Sequence, residues 1–179
     1  AELLLPPERA DDTPVLFGNY AGIEVHRHML ADRPRVDAYR RAIEAVVRPG
    51  DVVIDAGSGT GILAVLAAKA GAARVYAIER TDFAHVVRQV ARDSGVGDRV
   101  VVIQEDFRNV VLPEKARVLV SETVGAWVLA EGAPPDLRAC VTQNLEPDGV
   151  LIPGTFSLFV APMRQAPPDL LAPFIHRSD

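Results

Sequence analysis

The sequence predicts an α/β fold in which a doubly wound, mostly parallel sheet is covered by helices. Three observations carry this. Short β-branched apolar runs alternate with stretches of helical pattern at the spacing of strand–helix–strand units, whose right-handed crossovers build such a sheet. The first run, "DVVIDAG", is nearly continuous in apolar residues rather than alternating, as a strand buried on both faces requires. A glycine-rich turn, "DAGSGTG", joins that run to the helical stretch after it.

The elements follow in chain order. Residues 34–48, "PRVDAYRRAIEAVVR", carry Val36, Tyr39, Ile43, Val46 and Val47 at helical spacing and predict one amphipathic helix. "DVVIDAG" (51–57) is the first strand. "GILAVLAAKAG" (61–71) is rich in strong helix formers and stops at Gly71. "ARVYAIE" (73–79) is the second strand and "DFAHVVRQVARDSG" (82–95) the next helix. "RVVVIQED" (99–106) and "ARVLVSET" (116–123) are the third and fourth strands. "PPDLRACVTQNL" (134–145) reads as a helix closed by the turn "EPDG" (146–149). "GVLIPGTFSLFVAPM" (149–163) returns to strand, with "TFSLFVA" alternating as a half-buried strand does. No internal repeat or low-complexity tract interrupts this order.

Composition narrows the function classes. The 179 residues suffice for one domain with a sizeable core. A net charge of −5 offers no broad attraction to nucleic acid or to an anionic membrane. No apolar run approaches the roughly 20 residues of a membrane-spanning helix. The N-terminal "AELLLPPERADD" lacks the basic and apolar regions of a secretory signal. Cys140 is the single cysteine, so no intrachain disulfide is expected, and a reducing cytoplasm is the natural setting. With Leu137 and Val141 beside it, Cys140 reads as core.

The turn is the first candidate site. Asp55, Gly57, Gly59 and Gly61 form D-x-G-x-G-x-G at a strand–helix junction, where open α/β sheets bind ligands. Glycines let the backbone turn tightly and approach a ligand. Glu79 ends the second strand, where an acid accepts hydrogen bonds from both hydroxyls of a ribose. Asp106 ends the third strand, placed to accept from an adenine amino group, with Phe107 beside the ring. A dinucleotide site has G-x-G-x-x-G, with the pyrophosphate on the helix N-terminus. Here the third glycine comes one residue early and a carboxylate precedes the turn, which suits a cationic amino group better than a pyrophosphate. S-adenosylmethionine, with an ammonium, a ribose and an adenine, fits best. Ile62 and Leu63 after the turn, and Arg80 beside Glu79, complete the expected cofactor set, which includes no metal.

These residues resemble the class I S-adenosylmethionine-dependent methyltransferases, and within them the protein arginine methyltransferases. "VVIDAGSGTGIL" and "AAKAGAARVYAIE" look like that family's first motif and the segment after it. "YAGIEVHRHMLADRPRVDAYRRAI" resembles its N-terminal segment, "SETVGAWVLAE" its double-glutamate loop, and "LEPDGVLIP" the end of its cofactor domain. The match runs from about Tyr20 to Pro153. The resemblance implies a Rossmann-like domain over 36–153, an N-terminal lid over 1–35 and an extension over 154–179. It places His26 and Arg35 on the cofactor, Arg35 forking onto the methionyl carboxylate. It puts Met29 near the transferable methyl and Tyr20 in the active site. His26 and Arg35 are expected to gain partners only with ligand present, so that residues 16–35 order on binding.

Glu122 and Glu131 keep the family's separation of nine. On one helix that separation would put them on opposite faces, so they converge only across a loop, which Gly125, Gly132, Pro134 and Pro135 punctuate. Two converging carboxylates suit a guanidinium, planar and permanently charged. The resemblance makes them the catalytic pair, with Glu122 also touching the cofactor. Departures are visible too. Thr123 and Ala126 stand where the family has aromatics, Trp127 is the only tryptophan, and "GTFSLFVAPM" is all that resembles the family's barrel domain. His176 lacks the neighbours of that barrel's Thr-His-Trp loop.

The expected function is methyl transfer to a guanidino or amino nitrogen of a protein, a peptide or a small natural product, in a chain that pairs with a second copy of itself. Two other readings stand beside it. One is a nicotinamide-dependent oxidoreductase. The other is a module that binds the cofactor, or a full-length partner, without turnover.

Overall fold

The computed structural model describes residues 23–123 and 133–157. Helices α1 (Ile23–Ala31) and α2 (Arg33–Val46) precede the sheet. Asp32 separates them because its side chain accepts from the Arg35 N–H at 3.3 Å, and Pro34 sits in the first turn of α2, where no N–H is needed. α1 lies outside the helix expected from periodicity, and α2 runs continuously through position 35.

The remaining elements are β1 (Val52–Ala56), α3 (Ile62–Lys69), β2 (Arg74–Ile78), α4 (Phe83–Asp93), β3 (Val100–Ile103), β4 (Ala116–Ser121), α5 (Ala133–Asn144) and β5 (Leu145–Ile152). The strands make one sheet in the order β3-β2-β1-β4-β5, and every neighbouring pair is parallel. α2, α3 and α4 pack on one face, around Ile43, Val53, Ala64, Val75, Val87 and Val118. α5 covers the other, where Leu137 and Cys140 meet Ile54, Tyr76 and Leu119. α3 is apolar nearly all round because it is buried nearly all round, whereas α4 buries only Phe83, Ala84, Val87 and Ala91. The sheet is thus wound outward in both directions from β1 and β4. The crevice at their carboxyl ends is the topological switch point, where such sheets bind ligands.

Two features depart from the sequence expectation. The residues "EPDG" do not close α5 before a new strand. They lie inside β5, where Ala116 pairs with Leu145 but Val118 with Val150, so an excursion of the chain is absorbed within one ladder. Arg117 holds the excursion by donating to the Asp148 carbonyl. Residues 154–157 are not strand, and the rest of "TFSLFVA" lies outside the described residues.

Asn144, at the end of α5, is wholly buried. Its Oδ1 accepts from the Leu112 N–H and its Nδ2 donates to the Val110 carbonyl, both at 2.8 Å. These two bonds tie the helix-free crossover between β3 and β4 to the far face of the sheet. Asn144→Ala is expected to strand both main-chain groups at a cost of about 2 kcal/mol, lowering Tm by about 4–8 °C in a scanning calorimeter.

Candidate active site

The turn after β1 is laced to the end of β2. The Gly57 and Ser58 N–H groups both donate to the Ile78 carbonyl, at 2.9 and 3.0 Å. The Gly59 N–H donates to Oε2 of Glu79 at 2.8 Å. The other Glu79 oxygen, Oε1, accepts from the Thr81 N–H and hydroxyl at 2.8 and 2.7 Å. Glu79 therefore shapes the turn as well as facing it. Oε2, with the Gly59 N–H on it, retains lone-pair capacity for a hydroxyl.

Gly57 and Gly59 are glycine for reasons of space as well as conformation. Both have positive φ, +78 and +52. A Cβ on Gly59 would stand 2.9 Å from the His26 ring, and one on Gly57 would stand 2.5 Å from the Thr123 methyl. His26 is buried against the turn, its ring centroid 4.1 Å from that of Phe83. Thr123, in place of an aromatic residue, packs over Gly57, and its hydroxyl lies 2.9 Å from that of Ser121.

Asp55 is fully buried at the carboxyl end of β1. Its Oδ2 accepts from the Ala64 N–H at 3.0 Å, satisfying one of the free donors in the first turn of α3. The Ser58 hydroxyl has one proton and donates it to the Asp55 main-chain oxygen at 2.9 Å. Oδ1 of Asp55 is left as a buried acceptor with no partner among the described residues. Burial pushes its carboxyl up to about 7, against the pull of the Ala64 N–H, and the Glu79 charge adds to the rise.

α2 meets the end of β4. Nη1 of Arg35 donates to Oε1 of Glu122 at 3.0 Å, Nη2 to the Met29 carbonyl, and the Tyr39 hydroxyl to the Ser121 carbonyl at 3.1 Å. Burial, then the Glu122 charge, hold the Tyr39 hydroxyl well above its ordinary range, with Arg35 pulling the other way, so it stays a donor.

A family model described as ribosomal protein L11 methyltransferase (PrmA) matches residues 40–153. Protein arginine N-methyltransferase PRMT10 of Oryza sativa subsp. japonica is 41% identical over 150 residues, which are 83% of this chain and 40% of that protein. The crystal structure of Arabidopsis thaliana protein arginine methyltransferase 10 superposes with a TM-score of 0.71 at 34% identity, covering 74% of this chain and 39% of that one. A Trypanosoma brucei PRMT1 enzyme–prozyme heterotetramer with AdoHcy gives 0.69 at 33%, covering 75% and 43%. The chain belongs to the arginine-methyltransferase-like, S-adenosylmethionine-dependent methyltransferases. It spans about two fifths of the length of the curated relative above. The nicotinamide-dependent oxidoreductase reading is set aside.

Within this methyltransferase domain, the expected site residues have these surroundings. His26 packs on Gly59 and Phe83, and Arg35 pairs with Glu122. Asp106 is paired with a neighbour. Arg108 grips it through Nε at 2.9 Å and Nη2 at 2.7 Å, and this holds its carboxyl below the usual range. Phe107 packs against the α5-side core. Ile62 and Leu63 begin α3, with Leu63 in the α2–α4 core.

Arg80 is exposed and lines a shallow hollow of about 470 Å³ with Thr81, Asp82, Phe83 and Val86. Tyr20 and Glu131 lie outside the described residues. The sequence reading missed Thr81, Arg108 and Tyr39 as contributors, although Tyr39 stood out as a core position. Among the described residues, no group of three or more His, Cys, Asp or Glu is placed to hold a metal ion, and no helix is long and apolar enough to cross a membrane.

Proposed function

We propose that this domain binds S-adenosylmethionine at the carboxyl ends of β1, β2 and β3 and transfers its methyl group to a guanidino or amino nitrogen. The observation that carries the reading is Oδ1 of Asp55, a buried acceptor without a partner beside the glycine turn. Such an atom suits an ammonium, and an orphaned buried acceptor is costly unless something fills its need. Glu79 offers its remaining capacity to the ribose hydroxyls, Arg80 and the hollow beside it take the purine side, and Arg35, with five donors of which Glu122 and Met29 use two, receives the carboxylate.

Bound there, the cofactor supplies an electrophilic sulfonium methyl. The chain's own residues then have to orient the acceptor. Glu122 and Glu131 hold the guanidinium, draw its charge away from the attacking nitrogen and align that nitrogen with the methyl; Tyr20 lines the same site. Positioning of this kind is most of what the reaction asks of the protein. The acceptor is an arginine in a protein or peptide, or a small guanidino or amino compound. The thiol count suits a reducing cytoplasm, and the relative that assembles as a heterotetramer makes a multi-chain enzyme the expected form.

Two experiments test this. Isothermal calorimetry is expected to show S-adenosylhomocysteine binding with one site per chain; a folded sample that binds none overturns the reading. A screen of arginine peptides and guanidino compounds with labelled cofactor is expected to yield methylated product. Binding without any product would favour the non-catalytic module instead.

A further inference from the structure

We propose that Tyr39 is a positioning residue for the glutamate site, an inference that rests on the reading of Glu122 as half of a guanidinium clamp. Tyr39 and Arg35 lie one turn apart on α2 and so share a face. That face grips two consecutive residues at the end of β4: Tyr39 takes the main-chain oxygen of Ser121 at 3.1 Å, and Arg35 takes the carboxylate of Glu122 at 3.0 Å.

Ser121 is the last residue of β4 in register with β1, paired with Ala56, and its hydroxyl donates to the Ala56 carbonyl at 2.7 Å. On the other side the ladder to β5 ends at Val120. From Glu122 onward neither ladder continues, so the place of its carboxylate depends on how the chain leaves Ser121. Tyr39 fixes that departure point from the helix side, as Ala56 fixes it from the sheet side. Its ring is anchored in the same core cluster as Ile43 and Val47, and its hydroxyl remains protonated, so the hold is rigid and persists across the working pH range. A group that aligns an acceptor is sensitive to displacements of about 1 Å.

The test is Tyr39→Phe, which keeps the ring and removes only the donor. In hydrogen exchange, peptides spanning residues 118–123 are expected to exchange at least about fivefold faster, with β2 and α3 peptides unchanged. Unchanged exchange at 118–123, or acceleration spread evenly over the sheet, overturns the proposal. In calorimetry, S-adenosylhomocysteine affinity is expected to fall no more than about threefold, because Arg35 keeps its bond to the Met29 carbonyl and its place on α2 when Glu122 shifts. The affinity of the S-adenosylhomocysteine-loaded protein for arginine amide is expected to fall about five- to tenfold. Parallel loss of both, or of neither, overturns it. A wild type that takes up no arginine amide sinks the clamp reading itself, and is told apart from failure of the proposal because the exchange result for Tyr39→Phe stands independently. Should Tyr39→Phe fold poorly, 4-aminophenylalanine at position 39, which keeps the ring and a donor at the same reach, is expected to leave exchange at 118–123 near the wild-type rate; faster exchange there in that folded variant overturns the hydrogen bond as the hold.

Discussion

Asp55→Asn is expected to weaken S-adenosylhomocysteine binding at pH 7.5 by at least about a hundredfold while leaving the fold intact. The side chain has the same shape, and its amide oxygen can keep the bond that Oδ2 makes to the Ala64 N–H. What changes is Oδ1, the buried acceptor without a partner, which becomes an amide donor facing the site. A ligand ammonium then meets a donor where it needs an anion. Truncating one partner of a buried charge pair costs about 2–5 kcal/mol, and a hundredfold corresponds to about 2.7 kcal/mol.

The pH dependence has a defined sign. Burial raises the Asp55 carboxyl to about 7, above its value in the unfolded chain. Between those two values the folded protein binds a proton that the unfolded chain has released, so this group's contribution to stability falls as pH rises toward 7 and levels off above it. Asp55→Asn lacks this term and is expected to be as stable as the wild type or more so at pH 7.5, with the advantage shrinking toward pH 5. Ligand binding runs the other way. The ammonium requires the ionised carboxylate, so wild-type affinity is expected to drop up to about tenfold per unit below pH 7, whereas that of Asp55→Asn should not. Calorimetric titrations at several pH values check both statements; wild-type affinity in Asp55→Asn at pH 7.5 would remove Asp55 from the site.

Much of this architecture was legible because the sequence states it locally. β-branched runs, the "DAGSGTG" turn and the periodicity of Val36, Tyr39, Ile43 and Val47 each fix an element through its own residues, and the strand alternation then leaves few topologies. The carboxyl-edge positions of Asp55, Glu79 and Asp106 follow from the same logic. What local pattern cannot carry is which partner a side chain chooses. Glu79 looked like a free acceptor, yet Thr81 two residues on takes one of its oxygens. Asp106 looked open, yet Arg108 two residues on takes both of its oxygens. An exposed arginine near an acid is common in any sequence, and only the backbone's turn after β3 decides that the two meet. The "EPDG" residues were misread for a related reason. A turn-forming tetrapeptide after a helix stays outside the next strand only if the ladder cannot absorb it, and β5 absorbs it beside β4. Asn144 gave no signal at all, because its partners at Val110 and Leu112 are brought to it by tertiary folding.

Glu131→Gln is expected to lower kcat/KM for the methyl acceptor about ten- to hundredfold with little change in S-adenosylhomocysteine affinity. The substitution keeps shape and removes charge. An amide presents one acceptor and one donor to a guanidinium, which has only donors, so a bidentate pair becomes a single bond beside a repulsive contact. A charge-assisted hydrogen bond contributes about 1.5–3 kcal/mol, which sets the range of the fold-change. Glu122→Gln is expected to behave differently, because Glu122 is already tied to Arg35 at 3.0 Å. Weakening that pair loosens a residue assigned to the cofactor's carboxylate, so Glu122→Gln should lose cofactor affinity and turnover together, while Glu131→Gln should lose turnover alone. The two variants therefore separate the roles of two acids that the sequence presents as equivalent. Steady-state kinetics with the acceptor from the screen, alongside calorimetry with S-adenosylhomocysteine, make the comparison. Wild-type kcat/KM in Glu131→Gln would reduce Glu131 to a surface acid at a suggestive spacing, and wild-type cofactor affinity in Glu122→Gln would mean that Arg35 holds its place without its ion pair.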